Sequence, residues 1–279
     1  MRQPYMRAAG NAFLFFLVFG LLCNGCAKQK RQPQGLTLAA GVLSVGVEAG
    51  YPPMEYYDVD GKTLAGFDIE LAKAIAGRLG MEAKFIDTAW EGILAGLETG
   101  KYDVAVNITI LPERQKRYNF TRPYIDSSIA IVVLKTSALN IEKPEDIAGL
   151  NVAYQSDTTA HYFTETVSRR GARFTPYSYD KILNCFDELR TGRVDVVVAD
   201  NIAAHAYTEK ENSPYSLVWQ GPSDEYIGLC LKKGNDTLTA ALDSALDELF
   251  DDGTLPELSQ KIFNRDMVSA VMQAYPGNR

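Results

Sequence analysis

The feature that most constrains this chain is a unit used twice. "WEGILAGLETGKYDVAVNI" (90–108) and "YDKILNCFDELRTGRVDVVVAD" (179–200) follow one plan. In each, apolar residues recur at helical spacing, a Thr-Gly pair follows, and a basic residue precedes a strand-like run carrying aspartate. Glycine just past a helical pattern is a common helix stop. Two units, as opposed to the many copies of a solenoid, imply two lobes built alike.

The chain around these units alternates in the same way. Strand patterns cover 42–49, 83–89, 102–108, 128–135, 151–155 and 194–200. Helical patterns cover 67–80, 90–100, 112–118, 158–171, 179–192 and the segment after 235. Such alternation predicts an α/β protein with mostly parallel sheets. With 279 residues, 46% of them hydrophobic, the chain is long enough for one large domain or two lobes with a real core. Lys+Arg 28 against Asp+Glu 35 leaves a formal charge of −7, so the basic surplus of a nucleic-acid binder is missing and no such partner is expected.

The first residues read as a targeting segment. Arg2 and Arg7 precede the apolar run "AAGNAFLFFLVFGLL" (8–22), which has the length of a signal-peptide core. "CNGCAKQK" follows, with Gly25 directly before Cys26. This resembles the lipobox of bacterial lipoproteins, although Cys23 stands where that motif usually has leucine. The expectation is a signal peptide over 1–25, lipid on Cys26, a polar tether over 26–41, and an exported body held to a membrane by lipid, in the periplasm or at the cell surface. No second apolar run approaches the ~18–20 residues of a membrane span. Cys185 and Cys230 both fall on apolar patterns and are expected as unpaired core residues.

The middle of the chain carries a resemblance. "YPPMEYYDVDGKTLAGFDIELAKAIAGRLG", then "WEGILAGLETGKYDVAV", then "TILPERQKRYNFTRPY" occur in that order. Together they resemble the family 3 extracellular solute-binding proteins, the polar amino acid receptors of ABC importers, over about 42–264. The resemblance implies a two-lobed periplasmic-binding-protein fold of type II, with two similar α/β lobes joined by two crossing strands. Lobe 1 is expected over 42–125 and 228–265, lobe 2 over 129–223, and a C-terminal tail over 266–279. It also implies an amino acid in the cleft, an ABC transporter permease as partner and a monomer, without cofactor or metal.

Arg114 poses the sharpest local question. Pro112 is favoured at a first helical position, so Arg114 falls in a first turn, where a cation opposes the helix dipole by about a few tenths of a kcal/mol. Its charge is met either by Glu113 at the surface or by a ligand carboxylate held as a bidentate fork. The resemblance favours the fork. Lys116, Arg117 and Arg122 are expected to be solvated or lobe-surface charges. Thr109 is expected to share the ligand. Here the chain departs from the family pattern. One residue is missing between the strand and the arginine, and Leu111 replaces a threonine and cannot cap the helix. The roles of Val106 and Asn107 are therefore open, Asn107 being kept as a candidate ligand contact.

On the second half, "QSDTT" (155–159) leads from a strand into a helix whose N-terminus favours anions. By resemblance Gln155 lines the cleft, and Thr158 and Thr159 grip the ligand carboxylate. Capping is the plain alternative for Thr158, as it is for Asp200, which the resemblance assigns to the ligand ammonium. Tyr51 and Trp90 match the family's aromatic sandwich, with core packing as the alternative. Glu48 matches a position facing the ligand side chain, with a surface acid at a strand end as the alternative.

The implied function is capture of an L-amino acid and delivery to an importer. An acid with two aromatic rings suits a cation, so arginine or lysine comes first and glutamine, histidine or cystine second. Two other classes compete. An enzyme such as an exported cyclohexadienyl dehydratase needs a positioned acid or base, and His161 and His205 sit in no recognisable constellation. A sensor module needs a membrane span and a cytoplasmic part.

Overall fold

The structure, a computed structural model, describes residues 35–275. The expected signal peptide, Cys26, most of the tether and residues 276–279 lie outside the described residues.

The chain enters through β1 (Val42–Val47), which is almost wholly buried. A small hairpin, β2 (Tyr56–Tyr57) and β3 (Leu64–Ala65), precedes α1 (Phe67–Arg78). Then come β4 (Glu82–Asp87), α2 (Trp90–Thr99), β5 (Val104–Thr109), α3 (Pro112–Arg117), β6 (Tyr118–Phe120) and β7 (Ile125–Ser127). The second half begins with β8 (Ile129–Leu134). A 3-10 turn at Pro144–Ile147 leads to β9 (Asn151–Gln155), α4 (Thr159–Arg169), β10 (Thr175–Tyr179), α5 (Ile182–Thr191), β11 (Val196–Asp200), α6 (Asn201–Thr208) and β12 (Tyr215–Gln220). The chain then returns through β13 (Glu225–Lys232) to α7 (Asp236–Asp251), α8 (Thr254–Phe263) and α9 (Ser269–Ala274).

The repeated units behave alike. α2 stops at Gly100 (φ 72°) and α5 at Gly192 (φ 76°), both left-handed. A side chain disfavours that conformation, which is why glycine stands at both stops. Each unit then feeds a buried strand, β5 or β11.

Two sheets result. One has the order β4-β1-β5-β13-β6 with β7 on β13, and the other β10-β9-β11-β8-β12. They are mixed, which corrects the expectation of mostly parallel sheets. β1 pairs with β4 and β5, and β9 with β10 and β11, in parallel. β8 and β13 pair antiparallel with every neighbour. The cause is topological. A strand that arrives from the other sheet enters at the end where its neighbours finish, so it runs against them.

Three local expectations change. Arg122 is not a surface charge: its side chain is 8% exposed, paired with Asp247 of α7 and donating to the Met272 carbonyl. Residues 266–274 are not a free tail, because α9 buries Val271 and Met272. Within the expected tether, Leu36 is buried and Ala39 bridges Val42. Cys185 and Cys230 are buried, unpaired and in different core clusters. Lys116 and Arg117 are exposed and paired with Glu113 and Glu98.

Candidate functional site

In open α/β sheets, ligands bind beyond the carboxyl ends of the parallel strands. Here Thr109, Gln155 and Asp200 are the last residues of β5, β9 and β11, and Glu48 directly follows β1. The chain thus delivers two polar side chains from each sheet to one place. They line a cavity with about 420 Å³ of space not filled by protein atoms, shared with Tyr51, Trp90, Asn107, Arg114, Thr158 and Thr159. All ten residues singled out from the sequence surround it. Ser127 and Ile227, on the strands that cross between the sheets, complete the lining and were not anticipated.

Arg114 is 9% exposed. Nη1 donates to the Thr109 carbonyl at 3.2 Å and Nη2 to the Asp157 carbonyl at 3.2 Å. Its guanidinium carbon lies 5.7 Å from the centroid of the Trp90 ring. Glu113 is committed to Lys116 instead, and no ion pair joins Arg114 to a carboxylate among the described residues. Burial lowers its pKa, with Glu225 among the groups acting the other way. A guanidinium has five donors, so several remain for an anion in the cavity.

The backbone before Arg114 departs from a regular strand at two points. Asn107 takes a left-handed conformation (φ 56°), which asparagine tolerates better than most residues. The pairing of β5 with β13 also shifts register between Gly228 and Cys230. Leu111 occupies the N-cap of α3 without a side-chain bond. Thr109 meets Arg114 through its carbonyl.

Acceptors also line the cavity. Glu48 is 5% exposed, and burial pushes its pKa to about 7. Gln155 Nε2 donates to both Glu48 oxygens and to the Asp180 carbonyl, while its buried Oε1 has no partner. Asp200 serves twice: one oxygen caps α6 through the Ala203 N–H at 2.8 Å, and the other accepts from the Tyr51 hydroxyl. Burial raises its pKa to about 6.

The threonines differ. Thr158 caps α4, donating to the Gln155 carbonyl at 2.8 Å and accepting from the His161 N–H. Thr159 donates to Glu225 at 3.0 Å. Glu225 was missed from the sequence. It opens β13, and burial, with Asp200 and Asp224 nearby, lifts its pKa to about 7, opposed by Arg114. Nothing local in "SDEYIG" marks it, since only the fold brings β13 to α4. His161 stacks on Tyr154 and His205 bonds Glu209; neither lines the cavity.

A buried guanidinium and buried carboxyl groups line one cavity, a set that can meet both charges of a small zwitterion. Residues 43–265 match the model of the bacterial extracellular solute-binding proteins, family 3. The chain belongs to that family. It is 35% identical over 228 residues to the L-cystine-binding protein TcyJ of Escherichia coli (strain K12), covering 81% of this chain and 84% of the relative. Among solved structures, an ancestral arginine-binding protein bound to arginine superposes with a TM-score of 0.76 at 38% identity, over 80% of this chain and 98% of the other. An ancestral amino acid-binding protein, AncCDT-1, described as a precursor of cyclohexadienyl dehydratase, gives 0.72 at 32% identity over 80% and 95%. As in these solute-binding proteins, the fold is the two-lobed type II architecture.

Proposed function

We propose that this chain captures an L-amino acid with a cationic side chain, arginine or lysine first, and delivers it to an ABC importer. The observation that carries the ligand class is the unpartnered Gln155 Oε1 beside the buried Glu48. Burial holds this acid partly neutral, although Lys181 acts on it in the opposite direction. A guanidinium or ammonium there would supply the missing charge and donate to the idle oxygen. Arg114 takes the α-carboxylate with the first turn of α4 around Thr158 and Thr159. Asp200 takes the α-ammonium, and Tyr51 and Trp90 flank the side chain. Gln155 and Glu48 hold its far end, and Asn107 and Thr109 complete the contacts. The two lobes, 42–125 with 228–265 and 129–223, close on the ligand. The body is anchored by lipid on Cys26 after removal of 1–25, and acts as a monomer.

Cystine is the second reading, favoured by the likeness to TcyJ. Its far end carries an ammonium that suits Glu48 and also a carboxylate for which the lining has no second arginine. Calorimetry with arginine, lysine, glutamine, histidine, cystine and glutamate, on wild type and Glu48→Gln, tests the order. Arginine or lysine binds tightest to wild type and loses most in the variant. Glutamate or cystine binding tightest overturns the cationic reading.

A further inference from the structure

A side-chain amide has two chemically different ends, and its neighbours decide which end faces a ligand. Asn107 lines the cavity at φ 56°. Behind it, Nδ2 donates to Glu55 Oε1 at 3.1 Å. Its backbone N–H donates to the Tyr124 hydroxyl at 3.3 Å. The Tyr124 hydroxyl in turn donates to Asp68 Oδ1 at 2.8 Å. Glu55 and Asp68 are 2% and 0% exposed, and each leaves one buried carboxyl oxygen, Oε2 and Oδ2, without a donor. The two acids act on each other electrostatically, so a proton shared between those two oxygens would join them. Three hydrogen bonds thus link Asn107 to Glu55, Asn107 to Tyr124 and Tyr124 to Asp68 under the cavity, and a proton held between Glu55 and Asp68 would close the ring.

The ring fixes its own protonation. No cation pairs with either carboxyl group among the described residues, and two adjacent buried carboxylates cannot both ionise. Asp68 accepts from Tyr124, so the shared proton belongs to Glu55, which donates it to Asp68. Burial raises both acids; the contact raises Glu55 further and lowers Asp68, and Glu48 adds to the rise of Glu55. Glu55 is then neutral: it accepts from Asn107 with one oxygen and donates to Asp68 with the other. Its main chain also holds the turn of Tyr51, accepting from the Tyr51 N–H at 2.8 Å and donating to the Tyr51 carbonyl at 3.1 Å.

We propose that Glu55, held by Asp68, is a positioning residue for the ligand site: it captures the Asn107 amide nitrogen, turns the Asn107 carbonyl oxygen into the cavity, and so selects ligands that present an N–H group there. The proposal rests on the cavity being an amino-acid site. Asn107 commits its backbone N–H and an Nδ2 hydrogen to Tyr124 and Glu55, neither of which lines the cavity, and its Oδ1 is bonded to neither. A neutral Glu55 has a close mimic in the substitution Glu55→Gln, whose amide would accept from Asn107 through oxygen and donate to Asp68 through nitrogen. Glu55→Met fills similar space but makes neither bond.

Arginine affinity is measured by calorimetry on wild type, Glu55→Gln, Glu55→Met, Asn107→Ala and the double variant Glu55→Met/Asn107→Ala. Exchange of the Asn107 side-chain amide protons is followed by NMR without ligand. The amide is expected to be protected in wild type and Glu55→Gln and exposed in Glu55→Met. Glu55→Gln is expected to bind within about twofold of wild type and Glu55→Met about tenfold more weakly, the worth of one hydrogen bond. The double variant is expected to bind no more weakly than Asn107→Ala, because a residue acting through another gives non-additive effects. Additive losses, an Asn107 amide unprotected in wild type, or Glu55→Gln as damaged as Glu55→Met overturns the proposal. If no amino acid binds wild type while the amide stays protected, the amino-acid site is wrong and so is selection through Asn107. If Glu55→Met does not fold, Glu55→Gln decides alone by retained affinity and protection.

Discussion

Gln155 and Glu48, from different sheets and 107 positions apart, meet across the cleft through two hydrogen bonds of 2.9 and 3.0 Å. Tyr51 with Asp200, and Arg114 with the Asp157 carbonyl, join the same two sheets. These contacts define a closed arrangement, and a ligand that touches both sides favours it. X-ray scattering should therefore give a smaller radius of gyration with saturating arginine than without. Superimposable curves would count against closure.

Arg114 is buried and makes no ion pair with a carboxylate among the described residues, whereas Lys116 and Arg117 are exposed and paired. Arg114→Ala should nearly abolish amino-acid binding, since removing one partner of a buried charged pair costs about 3–5 kcal/mol. Lys116→Ala and Arg117→Ala should each change affinity by less than about 1 kcal/mol. Calorimetry on the three variants checks this, and equal affinities would remove Arg114 from the site.

Glu48 has a pKa near 7 in the unliganded site because burial disfavours its charge. A cationic ligand favours the ionised form, so binding expels a proton. Arginine affinity should rise as pH increases through about 7 and level off above it, by roughly tenfold or more between pH 5.5 and 8. Asp200, near 6, adds a change of the same sign at lower pH. In Glu48→Gln the rise around pH 7 should vanish. A wild-type affinity that is flat from pH 6 to 8 contradicts the role of Glu48.

The unliganded fold should show the opposite trend. Glu48, Asp68 and Glu225 have folded pKa values near 7 against ordinary carboxyl values when unfolded. Between about pH 4.5 and 7 the native state binds more protons, so stability falls as pH rises through that window. Asp252, lowered to about 2, works the other way, in acid only. Calorimetric melting should thus give a higher Tm at pH 5 than at pH 8, with saturating arginine narrowing the gap. A Tm that climbs from pH 5 to 8 would be inconsistent with buried, unpaired acids.

Cys26 is the residue on which the expected anchor depends. Wild type expressed in a bacterium should partition into the detergent phase and incorporate labelled fatty acid, and Cys26→Ser should do neither. Label retained in the variant would place the lipid elsewhere.

The sequence alone determined the features that local chemistry specifies. Helical spacing located α1, α2, α4 and α5, and Thr-Gly predicted the left-handed stops at Gly100 and Gly192. The ordered motifs pointed to ten residues that the fold gathers around one cavity, because each lies at or near the end of a strand or the start of a helix. Only the tertiary structure decided what depends on distant neighbours. The direction of β8 and β13 follows from where the chain crosses between sheets. Arg122 is buried because α7 and α9 cover it, and Glu225 meets Thr159 because β13 reaches α4. The Glu55–Asp68 pair under Asn107 joins three separate segments with no shared periodicity. Periodicity reports which face of an element is buried, but not which far segment buries it, and burial beside a particular partner is what sets the charge of these acids.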